Sequence, residues 1–176
     1  AEYAPIMVSV FAVVLLLPTA LPQSQLDRHV YPLAKTLECP PVVIDVVEAP
    51  DARAWAERAR TLVQAWYGKL TELLATDGRD PLTGEMKGKA YVPPKEIRLV
   101  FKKELNVPAY ASGGTITINA AWVAQRPDDL GMVIHELVHV LQQYPGSRNK
   151  PGWLVEGVAD YIRWWRYEPE LHSGSG

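Results

Sequence analysis

A chain of 176 residues, 48% of them hydrophobic and 22% charged, holds enough apolar material for one globular domain and too little length for two catalytic ones. Its net charge of −2, with Lys and Arg spread along the sequence, provides no basic footprint and excludes nucleic acid as a partner class. The single cysteine, Cys39, excludes an intramolecular disulfide framework and any zinc site built from several thiolates.

Ile6–Leu17 is an almost unbroken apolar run, followed by Pro18, Thr19 and Ala20 and then by polar Gln23, Ser24 and Gln25. A membrane-spanning helix needs about 20 residues, so residues 1–25 read as a signal peptide or a short hydrophobic segment, with no stable membrane span expected. No Lys or Arg precedes the run, which leaves a buried N-terminal helix as the alternative. On the signal-peptide reading the protein is secreted, periplasmic or held at the cell envelope. The folded domain is expected over residues 26–170, and residues 171–176, ending in Ser-Gly-Ser-Gly, read as a disordered tail.

Val42–Val47 is rich in β-branched residues and precedes Pro50, which predicts a strand. Asp51 is placed to cap a helix over Ala52–Ala75, in which Trp55, Ala59, Leu62, Val63, Trp66, Leu70, Leu73 and Leu74 recur at helical spacing. Residues 76–95 are rich in Gly and Pro and predict an irregular connection whose core candidates are Leu82, Met86 and Tyr91. Asp77, Asp80 and Glu85 within it lack EF-hand spacing and read as solvated turn carboxylates. A second strand over Ile97–Phe101 is followed by a hairpin, Tyr110–Ser112 and Thr115–Asn119, around a Gly113-Gly114 turn. The alternation Thr115-Ile116-Thr117-Ile118 predicts one buried and one open face. Pro127, Asp128 and Asp129 open a helix to about Gln143, the carboxylates favouring its positive end. Tyr144-Pro145-Gly146 stops it, and Pro151-Gly152 starts a last helix over Trp153–Trp165. The order strand, helix, strands, helix, helix predicts an α+β fold.

His135-Glu136-Leu137-Val138-His139 falls on the penultimate helix among apolar Met132, Val133, Val140 and Leu141. Side chains four apart lie one above the other, so His135 and His139 can grip one Zn2+ ion while Glu136 serves as general base toward a water. A catalytic zinc keeps three protein ligands, and Glu156 on the following helix is the candidate for the third. Asp160, one turn later, faces the same side as Glu156. It can accept the ring N–H of His135, or replace Glu156 as ligand. Gly157 would let the helices approach closely. Tyr161, Tyr144, Tyr110 and His172 are the candidates for a transition-state stabiliser, and Trp153, Trp164 and Trp165 read as core or interface aromatics.

Together with Gly152-Trp153-Leu154-Val155-Glu156-Gly157-Val158-Ala159-Asp160-Tyr161, and with Asn119-Ala120-Ala121-Trp122-Val123 upstream, the motif resembles the basic secretory protein family of plant and bacterial peptidases. The similarity extends more loosely back to Val42. It implies secretion and a zincin-like metallopeptidase domain: a small mixed sheet, a long helix, an active-site helix and a third-ligand helix. It also implies zinc-dependent hydrolysis of peptide or protein substrates, expected within the chain, with Glu156 as ligand and Asp160 as its companion. The chain departs from the family's name in being slightly acidic. It also ends soon after Asp160, where relatives continue with further helices, so part of the substrate-binding wall is expected to be missing. The alternative function is a zinc-stabilised binding module, or an inactive truncated metallopeptidase, that keeps the ligands without hydrolysing anything.

Overall fold

Four short strands, β1 (Val42–Asp45), β2 (Ile97–Lys102), β3 (Ala109–Ser112) and β4 (Thr115–Asn119), form one mixed sheet in the order β1-β2-β4-β3. β2 pairs in parallel with β1 and with β4, and only the β3–β4 hairpin is antiparallel. Among the described residues five helices accompany the sheet: α1 (Arg53–Leu74), α2 (Ala120–Gln125), α3 (Gly131–Gln142), α4 (Gly152–Tyr161) and α5 (Pro169–His172). A π-helical segment, Ile162–Tyr167, continues α4. The computed structural model describes residues 36–79, 83–86, 88–142 and 151–172. The expectations placed on residues 1–25, Asp80, Leu82, Tyr144, the His172 side chain and residues 173–176 of the tail lie outside the described residues, while Leu171 and His172, expected in the tail, close α5. The fold is mixed α+β with a small mixed sheet, as the element order predicts.

β1 stops at Asp45, short of Val47. The Asp45 carboxylate accepts the Val47 N–H at 3.1 Å and Val46 accepts the Ala49 N–H at 3.0 Å, so a local turn replaces the last two strand positions. Asp51 does not cap α1: it sits within a 3₁₀ turn, Pro50–Ala52, and the N-cap residue Ala52 makes no side-chain bond. The buried stripe of α1 is Ala56, Ala59, Val63, Tyr67 and Leu70, facing α3 and β1, while Leu73 is exposed. Tyr67 earns its buried place because its hydroxyl meets that of Tyr91 at 3.1 Å. Tyr91 packs against the core, and Met86 does not.

The Thr115–Ile118 alternation holds in part: Ile116 and Ile118 are buried and Thr115 is half-buried, but Thr117 on the expected open face is buried as well. β4 lies between β2 and β3, with Ile116, Thr117 and Ile118 all buried, and the sheet edge on this side is β3. The hairpin turns with a positive φ at Gly113 alone, the signature of a II′ turn, and a Cβ at Gly114 would stand 2.7 Å from the Glu96 carbonyl oxygen. The short helix α2 was not anticipated. Its signal was Asn119, whose side chain caps it by accepting the N–H groups of Ala121 and Trp122 at 3.0 and 3.3 Å.

α3 begins at Gly131 and not directly after Pro127, because residues 126–130 form turns. Asp129 is engaged by specific partners. It accepts the Trp122 indole N–H at 2.9 Å and the Arg163 guanidinium at 2.6 Å, and Arg163 also reaches Glu168 at 3.3 Å. A Cβ on Gly131 would collide with that Glu168 carboxylate. This partly buried cluster joins the start of α3 to the far end of α4. Removing its cation strands two poorly solvated carboxylates, so Arg163→Met is expected to lower stability by about 3 kcal/mol. Denaturant unfolding measures it, and a change below about 0.5 kcal/mol would show that the cluster holds nothing together.

Candidate metal centre

α3 is buried around most of its circumference, with Met132, Val133, Ile134, Leu137, Val138, Val140 and Leu141 all in the core. Such a helix is fixed on every side, so whatever it carries is held rigidly. His135, Glu136 and His139 project from it into a cleft of about 850 Å³ that is also lined by Ala109, Tyr110 and Ala111 of β3, by Glu156 and Asp160 of α4, and by Trp164.

His135 and His139 turn their rings edge to face, with Nε2 atoms 3.1 Å apart. Glu156 Oε2 lies 3.2 Å from His135 Nε2 and 3.3 Å from His139 Nε2. The opposite nitrogens are also engaged: His135 Nδ1 meets Asp160 Oδ1 at 3.0 Å, and His139 Nδ1 meets Gln142 Oε1 at 2.8 Å. Glu156 and Asp160, one turn apart on α4, therefore address opposite edges of the same imidazole. Gln142 was not singled out from the sequence, although it lies three positions after His139 and so on the same side of α3.

Burial pushes the His135 imidazole below its ordinary value, with the neighbouring His139 adding to the effect. Burial likewise raises Glu136 to about 7. His139 opposes this, Glu156 adds to it, and a hydrogen bond with the Ala111 backbone opposes it. A cation placed among the three neighbouring ligand atoms would draw the Glu136 carboxyl back down.

His135, His139 and Glu156 form the group among the described residues able to hold a metal ion, their ligand atoms lying within 4.8 Å of one another. Two nitrogens and one carboxylate oxygen suit zinc. Tetrahedral ligands at about 2.0–2.1 Å from zinc stand about 3.3 Å from one another, and the three pairs here span 3.1 to 3.3 Å. The donor set fits the ion.

Several expectations are corrected here. Trp164 lines the cleft, while Trp153 and Trp165 are exposed, which removes only the core half of the core-or-interface expectation. Among the described residues nothing lies near enough to Gly157 for its missing Cβ to matter. Of the transition-state candidates, Tyr110 lines the cleft, and exposed Tyr161 is not among the lining residues.

The family of peptidases of plants and bacteria, BSP, matches residues 54–172, a span that contains all but the first residue of α1, and the hairpin, α3 and α4. The chain belongs to this family. As a BSP peptidase it is a hydrolase of peptide substrates. No curated protein and no solved structure gives a significant match.

Proposed function

We propose that this BSP peptidase is a zinc-dependent endopeptidase built on a zincin-like arrangement of sheet and helices. The observation that carries the reading is the convergence of His135, His139 and Glu156 at ligand-to-ligand spacing beside a buried glutamate in an open cleft. Zinc, when bound there, supplies a Lewis acid that polarises the scissile carbonyl and makes water a competent nucleophile near neutral pH. Glu136 takes the proton from the attacking water and delivers it to the leaving amine, a pair of transfers open to a carboxyl that lines the cleft beside both histidines. Asp160 accepts the Nδ1–H of His135 and so keeps the Nε2 lone pair directed at the metal position.

The polypeptide is presented by β3. Pro108 accepts from Asn119, which places Pro108, Tyr110 and Ser112 in the hydrogen-bonded pairs of the hairpin and turns the main-chain groups of Ala109 and Ala111 outward. An extended substrate can add to that edge beside Glu136, recognised through its backbone. Edge pairing needs no free terminus, and this favours cleavage within chains.

A binding module that holds zinc without hydrolysis is the second reading, favoured by the thin anchoring of α4, of which only Ala159 is buried. We also place the protein outside the cytoplasm, on the strength of the apolar run Ile6–Leu17. Among the described residues no helix is long and apolar enough to cross a membrane.

Purified protein is expected to hold about one zinc per chain and to cleave casein, with hydrolysis lost on chelation and restored by zinc. Elemental analysis alongside the cleavage assay checks both. Zinc without cleavage would favour the binding module, and cleavage untouched by chelators would end the zinc reading.

A further inference from the structure

We propose that Gln142 is the positioning residue for both His139 and Glu156: one side-chain amide fixes the ring proton of His139 on Nδ1 and fastens α4 to α3. This rests on the zinc reading above and assigns a role to a residue outside its ligand set.

The argument follows from donors and acceptors. Gln142 Nε2 donates to the Val155 carbonyl oxygen at 3.0 Å. A carbonyl can only accept, so the amide orientation is fixed: the nitrogen must face Val155 and the oxygen must face His139. That oxygen lies 2.8 Å from His139 Nδ1 and is itself only an acceptor. His139 must therefore donate from Nδ1. A neutral imidazole has one N–H, so its Nε2 is left with a bare lone pair, and Nε2 is the atom that meets His135 and Glu156.

The two histidines thus have different supports. His135 leans on a charged and rather exposed carboxylate, Asp160, whereas His139 leans on a neutral amide that is 8% exposed. Burial shields the bond to His139 from competing water and makes its loss costly, since the ring N–H would lose its partner and the Val155 carbonyl would lose its tie to α3. The second bond of Gln142 acts on the other helix. Val155 directly precedes Glu156, and α4 has a single buried residue of its own, so a bond from the last residue of α3 to the Val155 carbonyl constrains where Glu156 begins. One side chain couples the two ligand-bearing helices at the point where their spacing matters.

Zinc-loaded full-length protein tests the proposal, compared with Gln142→Leu, which removes both bonds, and Gln142→Glu, which keeps an acceptor for His139 but faces the Val155 carbonyl with a second oxygen. Competition with a chromogenic chelator gives affinity, long-range ¹H–¹⁵N spectra report the His139 ring proton, and amide exchange reports α4. Wild type is expected to show a slowly exchanging His139 Nδ1–H. Gln142→Leu should lose that signal and bind zinc about 10- to 100-fold more weakly. Gln142→Glu should keep the signal while the α4 amides exchange faster.

Wild-type zinc affinity together with a persistent Nδ1–H signal in Gln142→Leu would overturn the inference and leave the zinc reading standing. If Gln142→Leu does not fold, Gln142→Glu decides alone: loss of the ring-proton signal, or unchanged α4 exchange, overturns the proposal. Failure of the wild type itself to bind zinc would remove both this inference and the reading beneath it.

Discussion

Glu136→Gln is expected to leave the zinc content at about one per chain and to lower kcat on casein by about 10²- to 10⁴-fold, the range a positioned general base contributes. Glutamine matches glutamate in size and leaves His135, His139 and Glu156 untouched, so the metal ligands and packing persist. It cannot accept a proton. Glu136 is nearly buried, and its carboxyl is pushed to about 7 by that burial, so a neutral replacement also removes a desolvated acid and carries little folding penalty. Metal analysis and steady-state kinetics on the same preparation make the comparison. Undiminished turnover in the zinc-loaded variant would assign proton transfer to another group.

Glu156→Ala should weaken zinc binding far more than Asp160→Ala. Glu156 Oε2 meets both Nε2 atoms, within 3.3 Å of each, whereas Asp160 meets only Nδ1 of His135, on the far side of the ring. Loss of a supporting carboxylate costs about 10- to 100-fold in metal affinity. Loss of one of three ligands leaves an incomplete set, and the weakening should exceed that range. Chelator competition on the two variants ranks them. If Asp160→Ala proved the more damaging, the ligand role would pass to Asp160, with Glu156 as its support.

The constellation on α3 was legible in the sequence because its geometry is local: residues four apart on a helix meet whatever the rest of the chain does. Glu156 and Asp160 required only that the next helix return against α3, and the Pro and Gly around it allowed this. What escaped the sequence depends on partners distant along the chain. Thr117 alternates like an outward residue but is buried because β4 lies inside the sheet. Asp129 looked like a charge for the start of a helix and is instead claimed by Arg163 and Trp122. Gln142 carries no charge and belongs to no motif, so only the position of the Val155 carbonyl gives it meaning.

The exposed edge at β3 has a second consequence, for association between copies of the chain. Outward main-chain groups on a terminal strand form a template on which any extended segment, including one from another copy, can pair. Here the strand is only four residues long. A peptide passing through the cleft needs only a brief run of pairing to be held. A lasting sheet between copies needs a longer one, and the brevity of β3 admits the first while discouraging the second.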